Sequence, residues 1–201
     1  MSSQMKRISI ACAVLFCALA GLVAAETVYA IHLRSRAKAF TERFEKLRIS
    51  ASKQEALGEL SAFHGQQKPA ELCDASGCNP GYSYEFRNAL LPGALARSGA
   101  ISAKLYFRND AVVAKHLMMS SSTGCCFASI KEGADLPRRP ASETADVLIQ
   151  SNGTPYGVNV WLSPEVVNAR REMAYRLNFN CLLPLSKCES AHKMLLTDWT
   201  E

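Results

Sequence analysis

Seven residues of this 201-residue chain are of types and positions that could do chemistry: six cysteines and one histidine. Cys73 and Cys78 bracket a turn-forming stretch, Cys125 and Cys126 are adjacent, and Cys181 and Cys188 lie on either side of Pro184. Two further cysteines, Cys12 and Cys17, stand apart in an N-terminal apolar run. Structural zinc sites use tighter cysteine pairs, and two adjacent ligands fit a tetrahedron poorly. That weighs against zinc held by Cys73, Cys78, Cys125 and Cys126, or by Cys181, Cys188 and His192. A redox-active thiol calls for a Cys-x-x-Cys pair at a helix N-terminus, and the sequence has none. An even six in the globular part suits an oxidised framework. Successive strand side chains face opposite ways, so Cys125 and Cys126 are expected to bridge separately to Cys73 and Cys78. Either cross-pairing satisfies the pattern. Cys181 is expected to close locally on Cys188.

His116 is the histidine with nucleophiles nearby in sequence, namely Ser120, Ser121 and Cys125. No Gly-x-Ser-x-Gly elbow surrounds them, and no glycine-rich phosphate loop occurs elsewhere. A strand-borne histidine beside a serine-rich turn reads first as packing or surface. A small secreted or envelope hydrolase using His116 is the alternative. No catalytic, metal or cofactor-binding residue is assigned, and no cofactor is expected. The net charge of +5 comes from scattered Lys and Arg. Without an aromatic-studded basic stripe it does not point to nucleic acid.

The elements that must position these residues begin with "ISIACAVLFCALAGLVAA", residues 8 to 25, directly after Lys6 and Arg7. As a helix this run measures about 27 Å, close to the roughly 30 Å hydrocarbon core. Continuing to Ile31 makes it long enough for a single-pass anchor, and Val23-Ala24-Ala25 also permits signal cleavage before Glu26. Arg34, Arg36, Lys38 and Arg43 outnumber Lys6 and Arg7, which by the positive-inside tendency would keep the globular part in the cytoplasm. The paired cysteines favour export, because disulfides persist in oxidising compartments and long domains translocate largely regardless of charge.

Helical spacing of Phe40, Phe44 and Leu47 predicts a helix over 35–48. Ser52-Lys-Gln-Glu55 is a capping box for a second, carrying Leu57, Leu60 and Phe63 and stopping near Gly65. Alternating apolar residues at 82–86, 101–107, 111–119, 125–130, 146–150 and 157–162 predict strands, with Arg108-Asn-Asp110 as a turn. Ser163, Pro164 and Glu165 open a third helix, with Val166, Arg170, Met173 and Leu177 as its stripe. Residues 189–199 suggest a fourth. The expectation is α+β: two helices, an antiparallel sheet of four to six strands, then two helices.

The segment "LRISASKQEALGELSAFHG", with Leu47, Ser52, Glu55, Leu57 and Leu60 in step, resembles the helix-opening motif of BamE/SmpA-like envelope proteins. Ser50 and Ala51 stand where that motif has Gly and Met. The whole chain, including "YRLNFNCLLPLSKC", resembles uncharacterised membrane-anchored bacterial envelope proteins. The resemblance implies fold and location and no activity. Residues 1–34 are thus expected to form a signal-anchor and 35–201 an extracytoplasmic, disulfide-stapled α+β domain. That domain is expected to be non-enzymatic, with the membrane and a protein or envelope component as partners.

Overall fold

The computed structural model describes residues 3–74, 77–87, 99–121, 126–133, 147–151, 157–183, 186, 188 and 190–196. Helix α1 (Ser3–Lys46) runs for 44 residues without interruption, about 66 Å. Its first part shows apolar side chains to solvent, Val14, Phe16, Leu19 and Val23 among them. From Glu26 onward one face turns inward. Glu26, Ala30, Leu33, Ala37, Phe40, Phe44 and Leu47 are all buried, in steps of four and three that keep a single stripe against the domain. The helix therefore has no break at residue 34, and its buried face begins upstream of it.

Strands β1 (Gln67–Asp74), β2 (Gly77–Arg87), β3 (Ala100–Arg108), β4 (Ala111–Ser120), β5 (Phe127–Gly133), β6 (Val147–Ser151) and β7 (Gly157–Leu162) form one sheet. Their order is β1-β2-β3-β4-β5-β7-β6. The expected antiparallel sheet of four to six strands is thus corrected to seven strands with one parallel pair, β5 with β7. Parallelism follows from the order: β6 takes the edge and pairs antiparallel to β7, so β7 enters beside β5 in the same direction. The β3–β4 hairpin turns on Asn109 and Asp110, both at positive φ (50° and 56°), the type I′ geometry that Asn and Asp tolerate. At Gly81 a Cβ would lie 2.2 Å from the Leu105 carbonyl oxygen, so only glycine lets β2 approach β3 there.

Alternation assigns Tyr84, Phe86, Ile101, Ala103, Leu105, Leu117, Met119, Ala128, Ile130, Val158 and Val160 to the core, all buried. Phe40 of α1 is the aromatic hub, with the rings of Phe86, Tyr84, Phe63 and Phe44 at 4.9, 5.0, 5.2 and 5.4 Å. Helix α2 (Lys53–Glu59) starts as its sequence predicts, Ser52 Oγ accepting from the Glu55 amide. It continues as a 3-10 segment (Ser61–Gln66) that buries Phe63.

The two C-terminal helices are corrected too. Ser163 accepts from the Glu165 amide, but the helix, α3 (Asn168–Ala174), starts later and spans only seven residues. Leu177 leaves the stripe to bridge with Leu195, and the described remainder holds only short 3-10 turns, Phe179–Leu182 and Ala191–Lys193. Asn178 N donates to Met194 O and Leu196 N to Arg176 O. These ties draw the two segments together in extended form, which uses the backbone groups a continued helix would need. Residues 197–199 of the predicted last helix lie outside the described residues.

Candidate functional site

Lys115 on β4 is in phase with Leu117 and Met119, and Glu132 on β5 is in phase with Ala128 and Ile130. Two charges thus occupy the apolar face of the sheet. They face each other across the strand pair. Both side chains are fully buried, and Lys115 Nζ lies 2.9 Å from Glu132 Oε2. Lys115 also donates to the carbonyls of Phe44 (3.3 Å), Glu45 (3.2 Å) and Leu47 (2.5 Å). Phe44 and Glu45 belong to the last turn of α1 and Leu47 directly follows it, where carbonyls run out of intrahelical partners and the dipole favours a cation. One lysine thereby caps the long helix from the sheet below.

The other carboxylate oxygen, Glu132 Oε1, accepts from Arg171 of α3 through Nη2 (2.8 Å) and Nε (3.1 Å). The rings of Tyr175 and Phe44 flank Lys115, with Nζ 5.5 and 5.7 Å from their centroids. Burial pulls the Lys115 pKa below the ordinary lysine value, and the Glu132 carboxylate opposes that pull. Burial, reinforced by Glu132, holds the Tyr175 phenol well above its usual range, and its hydroxyl is buried without a hydrogen-bond partner. This cluster ties α1, the sheet and α3 together.

Arg171 and Tyr175 also face a cleft of about 770 Å³, within the range of small-molecule sites. One wall is α1, through Arg34, Lys38, Thr41 and Glu45, continued by Arg48 just past its end. Each lies one residue beyond a member of the buried stripe, so the same helix supplies core and cleft wall. The other wall is α3 and the segment after it, with Arg176, Leu177, Phe179 and Leu196. Basic side chains dominate. Glu45 inside it has a raised pKa, first through burial and then through the nearby charge of Glu172.

The cysteines are arranged differently from expectation. Cys73 pairs with Cys78 directly across the β1–β2 hairpin, so the loop-to-strand bridges to Cys125 and Cys126 are replaced by a local one. Strand register sets this: the two cysteines are opposed in the ladder, 3.9 Å apart at Cα. Cys181 closes on Cys188. Cys126 is also disulfide-bonded, and Cys125 lies outside the described residues. Glu71 is close to both hairpin sulfurs, but their oxidation removes the thiolates a metal would need.

His116 points to neither cleft wall. It lies in register between Lys104 of β3 and Lys131 of β5, and its Nε2 is buried without a hydrogen-bond partner. Burial, then the two lysines, lower its pKa to about 4. Ser120 sits four residues along the strand, about 13 Å away, and Ser121 is engaged by the Cys126 amide. Among the described residues no hydrogen bond joins His116 Nε2 to a nucleophile, and Cys125 lies outside them.

Sequence reasoning does not single out Lys115, Glu132, Arg171 or Tyr175. The available signal is two opposite charges, each in the apolar phase of a strand. No protein-family model, curated protein or solved structure matches the chain.

Proposed function

We propose that this chain is a single-pass, membrane-anchored protein whose disulfide-stapled α+β domain stands outside the cytoplasm and works by binding an envelope component. The observation that carries this reading is helix α1. It passes unbroken from a segment with exposed apolar side chains into the domain core, and there forms one wall of the cleft. An exposed apolar helix of this length finds its natural solvent in a bilayer. The disulfide at the exposed hairpin and the one at Cys181–Cys188 support an oxidising compartment.

Cleavage before Glu26 is favoured as a second reading by one fact: burial on α1 begins at that residue. A cleaved product would keep the whole inward stripe. The experiment that separates these is a C-terminal alkaline phosphatase fusion with carbonate extraction. An active fusion that resists extraction and starts at or near Met1 is expected. Active but soluble protein starting at Glu26 would establish secretion, and an inactive fusion would put the domain in the cytoplasm.

A further inference from the structure

The cleft beside α1 has a chemistry of its own. Six cationic side chains line it against three carboxylates. Lys38 is partly engaged by Glu42 at 3.9 Å, and Arg171 is committed to Glu132. Arg34, Lys46, Arg48 and Arg176 have no ion pair among the described residues. In the same helix Arg36 and Arg43 are used differently. Arg36 bonds to Gln66 and Ala62, Arg43 bonds to the Glu59 carbonyl, and both lie over the Phe63 ring. So the cations of α1 divide into those that hold the fold and those left facing the cleft.

Position along the helix narrows the ligand. Ile31 is the last strongly exposed apolar residue of the N-terminal run, and Arg34 follows one helical turn later, about 5 Å along the axis. Lys46, the last residue of α1, is about 18 Å beyond Arg34, and Arg48 follows just past the helix end. With the bilayer edge at Ile31, the cleft begins at the level of lipid headgroups and rises from it. Its lining is mixed rather than purely polar, since Leu177, Phe179 and the exposed Leu196 share the far wall. A site for a freely soluble polyanion needs no such apolar wall, whereas a phosphate attached to glycerol and acyl chains does.

We infer that the cleft binds the phosphate headgroup of an anionic phospholipid in the leaflet next to which the domain stands. This rests on the membrane-anchored reading above. Arg34 and Lys38, nearest the bilayer, hold the phosphate oxygens by charge-assisted hydrogen bonds, Arg48 and Arg176 add their charge from farther along the cleft, and the apolar wall receives the glycerol end.

The test uses the full-length protein in neutral detergent, titrated with short-chain phosphatidylglycerol, short-chain phosphatidylcholine and inorganic phosphate. Binding is followed by calorimetry and by thermal stabilisation. Saturable binding of phosphatidylglycerol alone is expected. The variant Arg34→Gln/Arg48→Gln/Arg176→Gln should bind it at least roughly tenfold more weakly, the loss of about one charge-assisted hydrogen bond. These three side chains are at least partly exposed and hold no other element in place, so circular dichroism should be unchanged. The control Arg87→Gln/Lys193→Gln removes charge from exposed positions outside the cleft. An equal loss in the control would show general surface attraction and overturn the site. Inorganic phosphate binding as well as the lipid would overturn the lipid assignment. No binding by wild type would overturn both. Carbonate extraction of the same preparations reports on the anchor separately, so a failed cleft and a failed anchor are distinguishable.

Discussion

Glu132 takes both of its cations, Lys115 and Arg171, from different elements. Removing its charge would leave the fully buried Lys115 and the partly buried Arg171 without their anion, a loss typically about 3–5 kcal/mol. Glu132→Gln is expected to fall in that range by urea denaturation. The double variant Lys115→Met/Glu132→Met removes both charges of the fully buried pair, and should lose less than Glu132→Gln alone. His116 makes the opposite kind of statement. Its pKa falls from 6.5 to about 4 in the fold, so between those values the unfolded chain takes up a proton that the native site refuses. Stability is thus fully present above pH 6.5 and declines as pH falls toward 4, by up to about 3 kcal/mol. His116→Leu should flatten that slope in denaturation curves collected from pH 7 to 4. At this scale the sequence is half readable. A lysine and a glutamate in phase with Leu117 and Ile130 are visible as anomalies. That they meet each other, and that Arg171 joins them from 39 residues away, depends on strand order and helix docking, which no local pattern encodes.

The two fully described disulfides act at the level of elements, and each closes a short loop. Cys73–Cys78 spans five positions and Cys181–Cys188 seven. Chain entropy then assigns each about 2–2.5 kcal/mol, rather than the roughly 4 kcal/mol of a bridge closing some fifty residues. Cys73→Ser/Cys78→Ser should fray the exposed hairpin tip and leave global unfolding little changed, because the β1–β2 ladder already holds the ends together. Cys181→Ser/Cys188→Ser should cost more, about 2.5 kcal/mol, since Cys181 O also accepts from Gly99 N and Ser186 Oγ. Thermal melts of the two variants, with non-reducing peptide mapping, would reverse this ranking if the hairpin bridge mattered more. Local signals serve well wherever structure is local. The Asn109-Asp110 turn, the Ser52 cap and the alternating strands follow from adjacent residues. The edge position of β6 and the parallel β5–β7 pair do not, because pairing partners are chosen by tertiary closure. Leu177 fits a helical stripe as readily as a strand bridge, and only its contact with Leu195 decides between them.

On the scale of the molecule, the domain and its N-terminal helix share residues. A chain beginning at Glu26 keeps the inward stripe and should be folded. One beginning at Ser35 loses Ala30 and Leu33 from the core and should be less stable by about 3 kcal/mol; comparison of the two by urea unfolding checks this. The four cations after the apolar run also acquire a folded-state reason. Arg36 and Arg43 hold the 3-10 segment against α1, and Arg34 and Lys38 border the cleft. Their number need not report on topology. The unbroken α1 has one more consequence. With the helix spanning a bilayer, no flexible joint lies between lipid and domain, so any tilt of the one is tilt of the other. Counted to Ile31 its apolar stretch is about 36 Å, longer than a typical hydrocarbon core, and helices meet such mismatch by tilting, local thickening or small vertical shifts. A thicker membrane would therefore stand the helix more upright, and a thinner one would lift or lean the whole sheet. So anchored, the domain would be a lever whose angle follows bilayer thickness.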